Sequence, residues 1–405
     1  MKKNVIWNTF GSVFYYFCQW LITIIVVHIS SFENAGYLSL AMTTSSSFSA
    51  IALFNMRNFQ VSDIKEEYSS SIYVGSRIVT CIVAFFLCTI TVLYGNSWFQ
   101  ILCIAAFMLI RVAEAIADVL HGIDQKYECY DYIGKSYILR GIATVSSFVF
   151  GIRITDNLAV TLFIMAILNL MLAFFYDWRK TKVIDKFEIM IKDKKLIDLL
   201  KKCFPLVIFS FLLSLENLIP KNLLNQYYGA EELGIYSSMA SPTLIVQVFA
   251  SVAFSPFLPK FSELLYQGKT KQFQHMLHIL YGVLLGTGIM VTIGAMLLGR
   301  FGVTLLFGEK MLKYYYLFMP IVWCTMFTAV IWVLSAIMTA LRKIQALLVG
   351  MIINFLICVG ITHTLILQYE KNGVSFVQLI VYGLYIVFMI IVCESTLHKG
   401  IGKEE

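Results

Sequence analysis

Arg111, Glu114, Asp118, His121 and Gln125 recur at alternating spacings of three and four residues. That spacing puts all of them on one face of a helix. The helix is otherwise apolar, and an uncompensated charge at the centre of a bilayer costs at least about 2.5–3.5 kcal/mol. Arg111 and Glu114 are three residues apart and can pair, which lowers that cost. The face is therefore either an internal ion pair that fixes helix packing or the wall of a wet cavity that meets a polar substrate, and so many polar groups on one face favour the cavity. Asp118 and His121 lie near the end of the helix, where solvation is the alternative. Arg140 is a second basic residue inside an apolar stretch, and Arg57 and Arg77 flank two others. Guanidinium forks bind phosphate oxygens bidentately, so the four arginines suit an anionic, phosphate-bearing substrate. For Arg57 and Arg77 the competing reading is ordinary anchoring at the cytoplasmic interface.

Further polar stripes accompany this face. Asn8, Ser12, Tyr15, Gln19 and Thr23 share one side of the first apolar segment, and Ser210, Ser214, Asn217, Lys221 and Asn225 trace the corresponding side of the seventh. Thr43, Thr44, Ser45, Ser46, Ser47 and Ser49 crowd the second. Such faces do not belong against lipid; they hydrogen-bond neighbouring helices or line a cavity. Glu216 sits mid-helix with Asn217 beside it and Pro220 four residues on. Proline cannot donate to the Glu216 carbonyl, so Ser214, Glu216 and Asn217 are expected to form a cation or proton site at a broken helix. Pairing of Glu216 with Lys221 is the alternative.

These residues sit in a chain that is 59% hydrophobic and 14% charged, with a mean hydropathy of +0.79. A soluble domain carries roughly a quarter charged residues, so the class is an all-α polytopic membrane protein. Apolar stretches long enough to span fall near 8–30, 36–56, 76–95, 98–120, 136–152, 158–176, 204–225, 233–255, 275–298, 314–340, 345–367 and 375–395. They divide into a bundle of six over 1–176 and a second over 204–395. A basic linker over 177–203 separates them, and a tail over 396–405 follows. In the linker, Leu196, Leu199, Leu200 and Cys203 share a face, which reads as an amphipathic helix on an anionic leaflet, with a solvated loop as the alternative. Lys2 and Lys3 precede the first span and no small-residue cleavage site follows it, so that helix is expected to stay as an anchor.

The net charge of +7 is a topology signal and not a nucleic-acid signal. Most Lys and Arg fall on the side of the N-terminus, while the opposite side holds Arg153, Lys221, Arg300, Lys310, Lys313 and Lys371. Both termini are then cytoplasmic. The nine cysteines include no C-x-x-C pair, so neither a zinc site nor a disulfide framework is expected. No D-x-D, G-x-S-x-G or H-E-x-x-H is present, which argues against an enzyme, and no cofactor motif appears. The halves look like degenerate copies: Glu33-Asn-Ala-Gly36-Tyr-Leu-Ser39 matches Glu231-Glu-Leu-Gly234-Ile-Tyr-Ser237, and the same offset sets Ser12 on Ser210, Gln19 on Asn217 and Thr23 on Lys221. Six spans per copy keep both copies in one orientation, with a pseudo-two-fold axis along the membrane normal. Carriers that rock two bundles about a central site have this plan.

The run Arg111-Val-Ala-Glu-Ala-Ile-Ala-Asp-Val-Leu-His-Gly-Ile-Asp-Gln-Lys126, with Asp131-Tyr-Ile-Gly-Lys-Ser136, Arg140-Gly141 and Arg57-Asn-Phe-Gln-Val-Ser-Asp63, resembles the polysaccharide-export branch of the MOP flippase superfamily, the Wzx-type O-antigen and capsule flippases. Cys129-Tyr130 stands where that pattern usually has methionine. The resemblance spans the full length. It implies transfer of undecaprenyl-diphosphate-linked oligosaccharide from the inner to the outer leaflet of a bacterial cytoplasmic membrane. It also implies a proton or Na⁺ gradient as the energy source, and a polysaccharide polymerase and glycosyltransferases of the same pathway as partners. Arg111, Arg140 and Arg57 would hold the diphosphate, and Arg77, Glu114 and Asp118 would belong to the same substrate-binding face. Asn8, Gln19, Asn217 and Lys221 would meet the glycan, and the ion would couple at Glu216, Asn217 and Ser214 or on the Glu114/Asp118 face. A multidrug or organic-cation antiporter of the same superfamily is the rival; it calls for an acidic, aromatic-walled pocket, against which the arginines weigh.

Overall fold

The structure, a computed structural model, describes residues 2–63, 67–243, 261, 264, 267 and 269–398. Among these residues it is all helix and loop. The chain divides into two compact units, Met1–Leu218 and Ile219–Glu405. The second half of the eighth expected span, the segment 256–260 after it and the tail from 399 onward lie outside the described residues.

Unit 1 is built from α1 (Lys2–Ile29), α2 (Phe32–Leu53), the short α3 (Met56–Ser62), α4 (Ser70–Val92), α5 (Trp98–Lys126), α6 (Tyr130–Thr155) and α7 (Leu158–Leu172). A π-helical turn (Ala173–Trp178) joins α7 to α8 (Arg179–Ile184), and α9 (Lys194–Tyr228) follows. α5 is the centre: α2, α3, α4, α6 and α7 all pack on it. A capping box starts it, with the Ser97 hydroxyl accepting from the Gln100 N–H at 3.3 Å and the Gln100 side chain accepting from the Ser97 N–H at 2.9 Å. α1 lies against α6 at backbone contact. A methyl added at Gly11 would stand 2.3 Å from the Gly134 carbonyl oxygen, and one at Gly134 would stand 2.3 Å from the Trp7 carbonyl oxygen. Small residues are what let two membrane helices approach so closely.

α2 ends at two successive left-handed residues, Phe54 (φ 51°) and Asn55 (φ 49°), which turn the chain into α3. The Ala52 carbonyl freed at that end accepts from Arg77 Nη1 at 2.9 Å and from the Thr80 hydroxyl at 2.8 Å. A guanidinium at a helix C-terminus also complements the helix dipole. The loop after α3 is held by Asp63, whose carboxylate accepts from the Glu67 N–H at 3.0 Å, the Tyr68 N–H at 3.1 Å and the Tyr73 hydroxyl at 3.1 Å. Burial opposes ionisation of this carboxyl, but the backbone donors of Tyr68 and Glu67 outweigh it and hold its pKa below the usual carboxylate value.

Unit 2 contains the end of α9, then α10 (Ala230–Ala240), α11 (Thr270–Phe307), a 3₁₀ stretch (Glu309–Leu317), α12 (Phe318–Ala340), α13 (Ile344–Tyr369) and α14 (Lys371–His398). α14 packs on α12 and α13. The Tyr236 hydroxyl and Ser375 Oγ are 3.0 Å apart, and Lys371 pairs with Glu232. Leu285, Met290, Leu297 and Phe301 on α11 are exposed, as side chains facing lipid are.

Nine helices among the described residues are long and apolar enough to cross a membrane, and the chain is a multi-pass membrane protein. α2 and α9, with 22 and 35 residues, carry two further expected spans. Their hydroxyl, amide and charged residues dilute the apolar signal.

Three sequence expectations are corrected. The segment 177–203 is not a free linker. Residues through Ile184 continue the helical path of α7, and the next stretch docks on α4: Ser70 donates to Asp185 at 2.5 Å and the Glu188 N–H donates to the Ser71 hydroxyl at 3.0 Å. Nor do Leu196, Leu199 and Cys203 face a leaflet. They are buried in the protein, in the first turns of α9, where the Tyr68 hydroxyl donates to Asp198 at 2.5 Å and Lys202 meets Glu67 at 2.7 Å. The same amphipathic pattern serves protein packing as readily as lipid. The broken helix expected at Pro220 is also absent, because α9 runs unbroken through it. A membrane helix tolerates proline when neighbouring groups take up the carbonyl it leaves.

Candidate functional site in unit 1

The polar face of α5 organises three linked clusters, all inside unit 1. Nearest its middle, Arg111 Nη1 meets Glu114 at 2.7 Å and Arg111 Nη2 donates to the Ser46 hydroxyl of α2 at 3.0 Å. The Tyr15 hydroxyl of α1 donates to the other Glu114 oxygen, and Gln19 Nε2 donates to Tyr15 at 2.8 Å. Both partners of the ion pair keep 20% of their side-chain surface exposed. Arg111 Nε has no acceptor among the described residues. The guanidinium also lies 5.3 Å from the Phe107 ring centroid, one turn back.

Two turns on, Asp118 is shared. One oxygen meets Arg57 Nη1 at 3.1 Å and the other meets Arg77 Nη2 at 2.8 Å. Arg57 also donates to Gln125 at 3.2 Å. The two arginines differ in access: the Arg77 side chain is 0% exposed and that of Arg57 is 24% exposed. Arg77 is thus a fixture that caps α2 and anchors Asp118, while Arg57 keeps part of its side chain exposed.

The third cluster is closed to solvent. Arg140 Nη2 meets Asp177 at 2.8 Å, and His121 Nε2 lies 3.3 Å from the other Asp177 oxygen. All three side chains are no more than 2% exposed. The π turn places Asp177 here. One extra residue in the turn rotates the following side chains, and such turns recur at functional positions. Sequence spacing assigned Asp177 to the linker because a π turn leaves no mark in a 3.6-residue periodicity. Tyr137 was also missed. Its ring lies 5.2 Å from that of His121 and 5.6 Å from that of Tyr15, so it joins the clusters. The three-residue interval from Tyr137 to Arg140 on α6 is the signal that marks it.

The remaining predicted residues lie on α1 and α9. Asn8 is half-buried in the first turns of α1. Ser214 is engaged with α2, since its carbonyl accepts from the Ser47 hydroxyl at 3.2 Å while its own hydroxyl donates to the Ser210 carbonyl at 2.8 Å. Glu216 is 1% exposed, and Asn217 beside it is half-buried. Lys221 belongs to unit 2; it is half-buried, and no carboxylate pairs with it among the described residues.

The fold defines the class. The chain is similar to the lipid II flippase MurJ in its inward closed conformation, with a TM-score of 0.70, 13% identity and coverage of 98% of this chain and 90% of that one. It is similar to a MATE family transporter of the MOP superfamily in its inward-facing conformation, with a TM-score of 0.68, 10% identity and coverage of 98% and 99%. The Vibrio cholerae MATE transporter VcmN matches with a TM-score of 0.64, 12% identity and coverage of 98% and 96%. The architecture is therefore the all-α polytopic fold of the MOP superfamily. Residues 1–265 match the model of a family described as polysaccharide biosynthesis protein, and the chain belongs to that family. A curated relative, the capsular polysaccharide biosynthesis protein CapF of Staphylococcus aureus, is 25% identical over 316 residues, covering 76% of this chain and 78% of the relative.

Proposed function

We propose that this protein is a flippase. It carries undecaprenyl-diphosphate-linked oligosaccharide from the inner to the outer leaflet of the bacterial cytoplasmic membrane by ion-coupled alternating access, for surface polysaccharide biosynthesis. The observation that carries the reading is the pair of partly exposed guanidiniums, Arg111 and Arg57, on one face of unit 1 in a member of a polysaccharide biosynthesis family. Each is oriented by a carboxylate that holds one edge and leaves N–H donors over, and Arg111 Nε is such a donor. Diphosphate oxygens fit those donors bidentately. The sites proposed for the diphosphate are then Arg111 and Arg57, with Arg77 and Arg140 supporting them from inside the protein. Gln19 and Asn8 on α1, and Asn217 and Lys221 on α9, are the groups proposed for the glycan. The polymerase and glycosyltransferases that use or make such a lipid are the proposed partners, and both termini are proposed to be cytoplasmic.

MATE-like structure raises the rival of a cation antiporter. Glu114 and Asp177 each already face a guanidinium and Asp118 faces two, so the acids on this face are compensated from within the protein. That favours the anionic cargo. The test is translocation in proteoliposomes loaded with a labelled undecaprenyl-diphosphate oligosaccharide, read as protection from an external glycosidase. Wild type is expected to move the lipid, and Arg111→Ala, folded by size exclusion, to move it at least ~10-fold more slowly, the equivalent of losing one charge-assisted contact. Equal rates would remove Arg111 from the site. Transport of cationic dyes with no lipid movement would establish the rival.

A further inference from the structure

The outer face of α4 is bare along most of its length and covered at its start. Val79, Ile82, Phe86 and Ile90 follow Gly75 at intervals of three and four residues, so all five share one face. Ile82, Phe86 and Ile90 are exposed, as side chains facing lipid are, while every residue from Ile72 to Arg77 is buried. The backbone of Met190 covers the face at Gly75: a methyl added to that glycine would overlap the Met190 carbonyl. The non-helical segment between α8 and α9 therefore crosses α4 as a strap. It lies in line with the lipid-facing stripe, about 10 Å along the helix from Ile82. Its bonds from Ser70 to Asp185 and from the Glu188 N–H to Ser71 fix it at the end of α4. Phe187 anchors it from beneath, 1% exposed and with its ring 5.0 Å from that of Trp178.

The open side of the strap carries two chemistries. Ile189, Met190 and Ile191 are 50%, 41% and 48% exposed. Three successive apolar side chains left open beside a lipid-facing stripe gain by entering hydrocarbon. Lys186 before them and Lys192 and Lys194 after them are exposed, and no carboxylate pairs with any of the three among the described residues. Nine basic and four acidic residues fall between 179 and 202. Of the acids, Asp185, Asp193 and Asp198 are taken up by the Ser70 hydroxyl, the Lys195 N–H and the Tyr68 hydroxyl, so the charge left to meet a ligand is positive. We infer that residues 186–194 form a binding site for anionic phospholipid. The apolar triplet enters the leaflet at the head-group boundary, and the three lysines hold the phosphates of the lipids around it. The leaflet is the inner one when both termini are cytoplasmic. The extended strap makes this contact, and Leu196, Leu199 and Cys203 on α9 have no part in it because they face protein. The site does not depend on the identity of the transported cargo.

Two measurements on the full chain in liposomes test this. In the first, a photoreactive benzophenone side chain replaces Met190. Irradiation is expected to give adducts with phospholipid acyl chains, detected by mass spectrometry, as the same group in place of Phe86 does. Adducts at 86 and none at 190 would show that the triplet faces water or a soluble protein, and would overturn the inference. The second is the preference of the protein's boundary for spin-labelled phosphatidylglycerol over phosphatidylcholine, read by electron paramagnetic resonance. The combined variant Lys186→Gln, Lys192→Gln, Lys194→Gln is expected to lower that preference about two-fold or more. High salt is expected to bring the wild type toward the variant, because exposed charges are screened. A matched variant, Lys269→Gln, Lys271→Gln, Arg342→Gln, removes the same charge from unit 2 and is expected to keep most of the preference. Equal loss in the two variants would mean a diffuse surface charge, and no loss in the strap variant would mean that its lysines hold no lipid; either result would overturn the site.

Discussion

Replacing Asp177 by leucine tests the closed cluster most directly. The substitution removes the carboxylate that meets Arg140 at 2.8 Å, and it leaves a guanidinium that is 1% exposed with only neutral partners. These are the Ser136 hydroxyl at 3.4 Å and the Asn169 amide oxygen at 3.5 Å, both long. Breaking a buried pair by removing one partner costs about 3–5 kcal/mol. An ordinary hydrogen bond between membrane helices averages only about 0.6 kcal/mol. The two explanations for a loss of stability are therefore well separated. If Asp177 matters as a charge, the single variant loses several kcal/mol. Arg140→Met with Asp177→Leu is then expected to recover most of it, because two apolar residues replace a pair whose attraction was largely offset by its desolvation. The assay is a double-mutant cycle on unfolding in mixed micelles, with stability read by near-ultraviolet circular dichroism or by tryptophan emission. A coupling energy of about 2 kcal/mol or more is expected. Single variants that each cost under about 1 kcal/mol and add without coupling would show that the cluster is hydrogen-bond glue and that its charges are screened.

Gly134→Leu places a side chain where even a methyl would stand 2.3 Å from the Trp7 carbonyl oxygen, so α1 and α6 must part. A loss of at least about 1–3 kcal/mol is expected, seen as a lower melting temperature and a broadened size-exclusion peak, and an unchanged melting temperature would contradict the close packing. Asp63 has a depressed carboxyl in the folded protein, so the stability it contributes is present above its unfolded value of about 3.9 and is lost as pH falls through the lower folded value. Asp63→Asn should flatten the acid limb of the stability profile in that window and lower stability at neutral pH. A parallel acid limb in the variant would mean that the loop donors do not act through the charge.

The sequence alone was enough to establish the membrane class, the all-α architecture and the polar stripes, because each is a local property. Apolar length is set by bilayer thickness, and a face is set by 3.6-residue periodicity. Arg111 and Glu114 fell into that category too, since partners three residues apart on one helix need no tertiary information. The partners of Arg57, Arg77 and Arg140 did not, because an ion pair between helices depends on which helices are neighbours and how they are rotated. Asp118 is matched by two arginines from α3 and α4, residues that anchoring at an interface would have explained equally well. Asp177 was hidden further, since one extra residue in a π turn moves a side chain from an apparent linker into the interior without altering composition. Leu196, Leu199 and Cys203 show the reverse ambiguity: an apolar face declares that it will be buried, and only the tertiary structure decides whether lipid or protein buries it.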